Sequence, residues 1–516
     1  MPKKCKGKRN ALVVTVAAVL LGDIFAGGQN IPAQQTTWNA GDTKRTQMTE
    51  SATRRMDLTD AFAVILQGAT KKFIAGYAVD DSFLMWLAAR YGDETVVRIA
   101  SAVLDGTEDP EVWYDITGSS IHVLWLMYCR DSGFQQYRLQ NVYWKEAGED
   151  GKIVLGFAGD INFADDWYTM EYMNRQTNGI YDCFSEDLLS EMQNVDVMVM
   201  NNEFTYAESG SVEAVPGKAY TFRADPGDVE LLSVFGTDAV TLANNHVYDY
   251  GEEGLLSTLD CLRKADIPYT GAGENRKEAS KILSFVIGGR KIAIVSATQI
   301  ERATKYTKEA TEMEPGVLKT LNPAAFLEVI READATSDYV IVEVHWGTEG
   351  SLHEEKSQRL LAELYAEAGA DAVIGGHPHR LQGCGFTDGV PVAYSLGNFW
   401  FSTGTLYTTL AKITITEYGA VTLSYVPCIQ KGLVTSILTE QDDKDGFYHY
   451  LAAISDDIGM DADGNVYDKT AGITLRRQSC TIRIQARRRF AARQIMMGMP
   501  STLLATENKE RGKNNE

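Results

Sequence analysis

Short apolar runs that end in polar residues are the feature that most restricts the fold of this chain. Residues 153–158 form one such run and residues 339–344 another, and segments with helical spacing such as 354–368 lie between several of them. Alternating strands and helices predict an α/β domain. Residues 285–296 carry two central glycines and predict a hairpin, so we expect mixed sheets.

The residues that follow these apolar runs are polar residues of the kind that form binding and catalytic sites. In α/β folds, sites lie at the carboxyl ends of the strands, where loops from neighbouring strands meet. Six runs are followed by polar or turn-forming residues: Gly159-Asp160, Asn201–Glu203, Asn244–His246, His345–Gly347, Gly375–His379 and Gly397–Phe399.

Gly375-Gly376-His377-Pro378-His379 points most directly to chemistry. The chain has seven histidines, and two of them stand here one residue apart, at the end of a predicted strand. Histidines in this arrangement have few structural uses, whereas imidazole is a common metal ligand. The pattern predicts a metal site with six candidate ligands: Asp160, Glu203, Asn245, His345, His377 and His379.

Each of these residues also has a purely structural interpretation. Asp160 after a strand fits a turn or a helix cap, Asn245 fits a turn, and Glu203 alone fits a surface carboxylate. Taken together and in order, they favour a two-cation hydrolytic site, in which a carboxylate bridges cations about 4 Å apart. His246 would then be the general acid that protonates the leaving group.

The charge of the chain excludes one class of partner. Lysine and arginine total 49 against 70 acidic residues, so the net charge is −21. Such a surface repels nucleic-acid backbones, and we expect no nucleic-acid binding. An anionic substrate would need a metal ion or a local basic patch.

The N-terminus has the layout of a secretory signal. Five basic residues precede the apolar run 11–21, and small residues follow at 26–28. We therefore expect residues 1–28 to be a signal peptide or a membrane anchor, and the protein to be extracytoplasmic. A buried helix is the alternative interpretation, which the basic flank disfavours.

The other segments carry weaker signals. Polar residues 29–56 are expected to be a linker, 57–150 a small helical accessory domain in which Ser82 caps a helix, and 151–440 the main domain. Residues 441–516 are expected to be a partly disordered extension. His122 lies in an apolar run and is predicted to be a core histidine. The seven cysteines form no C-x-x-C motif, so one disulfide at most is expected.

The ordered motifs resemble a known family. From about residue 152 to residue 401 the chain is similar to the capsule-synthesis protein CapA family, also called the poly-γ-glutamate biosynthesis CapA/PgsA family. The matching motifs are Gly159-Asp160, Asn201-Asn202-Glu203, Ala243–His246 with Asp249–Gly251, His345-Trp346-Gly347 with Glu349, Gly375–His379 and Tyr394–Phe399. That family is similar in turn to calcineurin-like metallophosphoesterases, which implies a two-sheet sandwich flanked by helices.

The resemblance also implies a division of roles. Asp160 and His379 would serve the first metal, and Asn245, His345 and His377 the second. Glu203 would bridge them and His246 would be the catalytic acid. Supporting positions would be Asn162, Asp249, Glu349 and Asn398. Metallophosphoesterases usually carry His where this chain has Asn162, and Asp where it has Glu203.

Three functions follow as hypotheses. The first is an exported protein of capsule or poly-γ-glutamate synthesis with one or two divalent cations (Mn, Fe or Zn), acting with the anionic polymer or with the membrane proteins that make or export it. The second is an extracytoplasmic metal-dependent phosphoesterase with another envelope substrate. The third is a non-catalytic polymer-binding module with a relic site.

Overall fold

The computed structural model describes residues 56–470 except 69–76, 78, 107–108, 149 and 302–305. The expected signal or anchor, the linker to residue 55 and the chain after residue 470 lie outside the described residues. In the described part, no helix combines the length and the apolar character needed to cross a bilayer. The five cysteines of that part are buried and unbridged.

The helices are α1 Leu58–Gly68, α2 Asp81–Tyr91, α3 Asp93–Leu104, α4 Glu111–Thr117, α5 Ile121–Ser132, α6 Tyr168–Met173, α7 Glu186–Gln193, α8 Gly251–Lys264, α9 Arg276–Ala279, α10 Ala324–Thr336, α11 Lys356–Ala368 and α12 Gln441–Ala453. Three 3₁₀ helices span Gln136–Leu139, Gly179–Cys183 and Pro226–Phe235.

The strands are β1 Val142–Trp144, β2 Ile153–Ala158, β3 Asp160–Ile161, β4 Val197–Asn201, β5 Thr205–Tyr206, β6 Arg223–Ala224, β7 Thr237–Thr241, β8 Tyr269–Thr270, β9 Ala272–Gly273, β10 Leu283–Ile287, β11 Arg290–Thr298, β12 Gly316–Val317, β13 Tyr339–His345, β14 Ala372–Gly376, β15 Cys384–Thr387, β16 Val390–Ala393, β17 Asn398–Trp400, β18 Thr405–Ile415, β19 Val421–Lys431, β20 Val434–Ile437, β21 Ile458–Met460 and β22 Val466–Asp468.

Two seven-stranded sheets form the centre of the molecule. The first sheet has the order β1-β10-β11-β13-β14-β16-β15, and the second has the order β20-β19-β18-β2-β4-β7-β8. Both are mixed: β11, β13 and β14 run parallel, while β10 and β11 form the predicted antiparallel hairpin. The two-sheet α/β sandwich expected from the sequence is therefore confirmed.

Side chains from the facing surfaces of both sheets form one apolar cluster. It includes Phe157 and Val199 from the second sheet, and Ile294, Ile341 and Ile374 from the first. The outer faces are covered by helices, because their strands are apolar on both sides. Helices α10 and α11 pack on the first sheet, and α7 and α8 pack on the second.

The helical region before the sandwich has its own core. Large aromatic side chains fill it, among them Phe83, Trp113 and Trp125. Asp80 caps α2 by accepting a hydrogen bond from the backbone N–H of Phe83 at 3.0 Å, so the expectation that Ser82 is the cap was wrong. An Asp at this position also interacts favourably with the helix dipole.

His122 of α5 is a buried residue of the helical region, as predicted. Its Nδ1 lies 3.0 Å from the hydroxyl of Tyr77. Burial, with a smaller contribution from Lys291 and Arg290, lowers the pKa of His122 from 6.5 to about 3. The imidazole is therefore neutral in the folded protein at ordinary pH.

Residues 441–470 of the expected C-terminal extension lie in the described part and pack on the sandwich. Helix α12 inserts Phe447 and Leu451 into the cluster between the sheets, and the β21–β22 hairpin adds Ile458 and Val466. These residues complete one end of the core between the sheets.

Candidate metal centre

The interior between the sheets changes from apolar to polar toward the carboxyl ends of the strands. Alternate residues of a strand face the same side. On β13, Ile341 lies in the apolar cluster, and Glu343 and His345 follow on the same side; on β4, Val199 is followed by Asn201. All three polar residues are buried. The alternation therefore places a group of polar side chains at one end of the sandwich.

Asp160 lies at the centre of this group. It begins β3, one residue after the end of β2, and only 1% of its surface is exposed. Its Oδ1 accepts a hydrogen bond from Asn201 Nδ2 at 2.9 Å, and its Oδ2 lies 3.3 Å from His379 Nδ1. Burial raises the pKa of Asp160, but the partners His379, His345 and Asn201 outweigh burial and hold the pKa below its usual value. Asp160 is thus an ionised buried carboxylate.

Glu203 is the least satisfied group of the site. It is fully buried, and among the described residues neither of its carboxylate oxygens has a hydrogen-bond partner. His345 Nε2 lies 3.2 Å from Oε1. Burial, and then the neighbouring charge of Asp160, raises the pKa of Glu203 well above its usual value. A buried carboxylate without partners costs several kcal/mol, which a bound cation would offset.

The structure brings the predicted ligands together in overlapping groups. The ligand atoms of Glu203, His345 and His377 lie within 4.8 Å of one another, and so do those of Asp160, Glu203 and His379. The two groups share Glu203. A third group of the same compactness combines the exposed Glu349 with His377 and His379. Imidazole and carboxylate at this spacing suit a divalent transition metal.

Asn245 and His345 contact each other directly. His345 Nε2 lies 2.7 Å from the side-chain oxygen of Asn245. Burial lowers the pKa of His345 to about 3, so the ring is neutral and available as a ligand. Its Nδ1 is buried and has no hydrogen-bond partner within the described part of the chain. The Asn245 side-chain oxygen and the ring nitrogens of His345 are therefore of the type that would coordinate a cation in this site.

The Gly-Gly-His-Pro-His segment has an unusual backbone. His377 and His379 have φ angles of 96° and 55°, and residues other than glycine rarely adopt positive φ angles. A Cβ on Gly376 would lie 3.1 Å from Asp160 Oδ1 and 3.4 Å from His345 Nδ1. A Cβ on Gly375 would lie 2.1 Å from the Tyr394 carbonyl oxygen. The two glycines therefore allow the loop to pass close to the ligands.

Two predicted supporting residues play different parts. Asn398 Oδ1 lies 2.8 Å from His379 Nδ1 and orients the ring, leaving Nε2 for a ligand. Asn162 is buried, but its side-chain oxygen accepts a hydrogen bond from the Ala164 N–H at 2.7 Å. Asn162 therefore forms a local turn, and its oxygen is used by the backbone.

His246 is held by a charged pair beside the ligands. Its Nδ1 lies 2.8 Å from Asp249 Oδ2, and Asp249 Oδ1 lies 2.5 Å from Lys218 Nζ. Lys218 also donates a hydrogen bond to the backbone oxygen of Asn245, and only 6% of its side chain is exposed. Burial lowers the pKa of His246, although Asp249 opposes this shift. With Nδ1 bound to Asp249, Nε2 is the nitrogen left for chemistry.

Two residues of the site, Lys218 and Glu343, were not predicted from the sequence. Lys218 lies in a loop between strands, and no pattern in the sequence links it to Asp249. Glu343 was hidden inside an apolar run; it accepts a hydrogen bond from Ser296 Oγ at 2.5 Å, and burial raises its pKa to about 8. The alternation of β13 places Glu343 one layer below His345 and could have identified it.

Comparison with known proteins places these features in a family. Residues 154–403 match the family described as bacterial capsule synthesis protein PGA_cap. The capsule biosynthesis protein CapA of Bacillus anthracis is 35% identical over 322 residues, which are 59% of this chain and 74% of that protein. The PGA biosynthesis protein CapA of Bacillus subtilis (strain 168) is 36% identical over 188 residues, or 36% of this chain and 48% of that protein.

A solved structure described as a novel phosphatase from Mycoplasma pneumoniae is also similar. It is 12% identical with a TM-score of 0.36, and the match covers 58% of this chain and 99% of that one. The family expected from the motifs is confirmed by these relatives and by the family match, whose residues 154–403 contain the ligand motifs. The chain belongs to the family of bacterial capsule synthesis proteins that includes CapA.

Proposed function

We propose that this protein is a metal-dependent phosphoester hydrolase that acts in capsule synthesis. The observation that carries the proposal is Glu203, a buried carboxylate without a hydrogen bond that belongs to two ligand groups at once. In this proposal Asp160 and His379 would hold one cation, and His345, His377 and Asn245 would hold a second. Glu203, which belongs to both groups, would serve both cations.

The residues of the site suit this chemistry. Bound divalent cations would stabilise the negative charge on the phosphoryl oxygens and would lower the pKa of a water molecule, which makes that water a better nucleophile. His246 is oriented by Asp249 through Nδ1, so the imidazolium form would give its Nε2 proton to the leaving oxygen. As the water oxygen bonds to phosphorus, the bond from phosphorus to the leaving oxygen breaks. The products are an alcohol and the remaining phosphate ester; one proton of the attacking water replaces the proton that His246 gives up, and the other passes to solvent.

The biological setting is part of the same proposal. The relatives are named for capsule or PGA biosynthesis, and we propose that this chain acts with an anionic capsule polymer or with the membrane proteins that make or export it. The basic start and the apolar run 11–21 support a place outside the cytoplasm, secreted or anchored.

Metal content and turnover test the proposal together. We expect the purified full chain to bind Mn, Fe or Zn and to hydrolyse a phosphodiester only when metal is present. His345→Ala and His377→Ala should lose both metal and turnover. His246→Asn should keep the metal and lose 10²- to 10⁴-fold in kcat, because it removes only the proton donor. Wild-type turnover in both ligand variants would refute the hydrolase.

A second candidate is metal-dependent binding of poly-γ-glutamate without hydrolysis. The names of the relatives favour it, since a polymer carboxylate is itself an oxygen ligand for a cation. It predicts that the polymer binds the metal-loaded chain, that EDTA releases it, and that His246→Asn binds as well as wild type. Polymer binding that survives EDTA would argue against this candidate.

A further inference from the structure

Aromatic rings pack directly against two histidines of the candidate metal centre. The ring of Phe222 lies 4.4 Å from that of His246, and the ring of Phe401 lies 4.5 Å from that of His379. Phe222 and Phe401 contact each other at 5.4 Å between centroids. None of the proposed metal chemistry requires these rings, which are buried members of the apolar cluster on the second sheet and link that cluster to the candidate metal centre.

The aromatic contacts continue outward to the protein surface. Trp167 lies 4.9 Å from Phe222 and donates a hydrogen bond from Nε1 to the Phe401 carbonyl oxygen at 2.5 Å. Tyr168 and Tyr220 lie 4.9 Å and 6.1 Å from Trp167. Tyr168 is 53% exposed and Tyr220 is 61% exposed. We call Trp167, Tyr168 and Tyr220 the aromatic wall; one ring separates it from His246.

The charges beside the aromatic wall restrict what it can bind. Asp165 and Asp166 directly precede Trp167, and Asp166 is exposed. Arg223 is paired with Asp165 and also donates to the Ala207 carbonyl oxygen at 2.6 Å, so its charge is engaged. The wall therefore disfavours a second anionic group and suits an uncharged ring that carries hydroxyls.

We propose that the aromatic wall is the subsite for the leaving group of the phosphoester, and that this group is a sugar. The apolar face of a pyranose stacks on aromatic rings, and its hydroxyls can donate to a carboxylate such as Asp166. Phe222 connects the wall to His246, which would protonate the leaving oxygen, and Phe401 connects it to His379. The inference rests on the proposed hydrolysis for its direction, but sugar binding can be measured without turnover.

The first test measures binding of a free sugar. Saturation-transfer NMR with methyl α-glucopyranoside and the EDTA-treated full chain should show transfer from the protein to the sugar. Tyr168→Ala with Tyr220→Ala should reduce that transfer at least fivefold. Tyr418→Ala is the matched control, since it removes a tyrosine that is 88% exposed elsewhere on the surface and should change nothing. Exposed tyrosines can be removed without unfolding the chain.

The second test measures turnover with metal. Wild type should have a lower KM for the methyl phosphodiester of glucose than for the methyl phosphodiester of glycerol, and the double variant should raise the first KM about tenfold more than the second. Hydrolysis without sugar binding or sugar preference would refute the proposed sugar subsite, while the proposal that the protein is a hydrolase would stand. Sugar binding that depends on the two tyrosines, without hydrolysis of any ester, would support the subsite and refute the hydrolase. A preference for a decyl phosphate would overturn the sugar assignment.

Discussion

The two ends of the sandwich differ in how their buried charged groups are paired. At the amino end, the helical region docks on the first sheet through satisfied contacts. Asp338 Oδ2 accepts hydrogen bonds from Ser120 Oγ at 2.6 Å and from the Lys291 N–H at 2.7 Å. Arg290 binds both carboxylate oxygens of Glu111, at 2.9 Å and 2.5 Å.

At the carboxyl end, the carboxylate of Glu203 and one ring nitrogen of His345 lack such partners within the part of the chain that the structure describes. Glu203 accepts no hydrogen bond from any described residue, and the same holds for His345 Nδ1. Buried polar groups are almost always paired in native proteins, so unpaired ones need a reason. The difference indicates that the amino end stabilises the fold, whereas the carboxyl end is arranged for a ligand.

Of the replacements that test this difference, Glu203→Gln should have the largest effect. We expect Glu203→Gln to abolish metal binding and lower hydrolysis to background, because it removes the charge shared by two ligand groups. Without metal, the same change should leave the free energy of unfolding equal or higher, since a buried carboxylate without partners is removed. Calorimetric metal titration and urea unfolding measure both. A clear loss of metal-free stability would show that Glu203 is a structural residue.

Replacing Asp338 should give the opposite result. Asp338→Ala leaves Ser120 and the Lys291 N–H without their acceptor, so we expect a loss of about 2 to 3 kcal/mol in the free energy of unfolding. Metal affinity and kcat should not change, because Asp338 lies at the other end of β13 from His345. If activity fell with stability preserved, the two ends would not be independent.

Acid should weaken the helical region through His122. The unfolded chain protonates this imidazole near pH 6.5, whereas the folded protein resists protonation down to a pKa of about 3. The unfolded state therefore binds more protons between these values, and stability falls as pH falls from 6.5 toward 3. We expect a loss of about 2 kcal/mol between pH 6.5 and pH 4.5. In urea unfolding, His122→Gln should lose this part of the pH dependence; an unchanged profile would contradict the burial of a neutral His122.

Local sequence patterns predicted much of the fold. The glycine turn between β10 and β11 appears as expected, because it depends on neighbours in the chain. The cap of α2 was misassigned by two residues. Ser and Asp are equally good caps, so position alone could not separate Ser82 from Asp80.

The sequence by itself determined which residue types meet at the strand ends. The apolar runs mark where strands end, and Asp160, Glu203, His345 and His377 follow those runs directly or within a few residues, so periodicity and side-chain chemistry are enough to identify them. The tertiary structure decided which atoms remain unpaired and what surrounds them. Lys218 reaches Asp249 from 31 residues away, and Phe401 reaches His379 from a separate strand end. Such contacts depend on how the two sheets pack, because a pair distant in sequence leaves no local pattern to read.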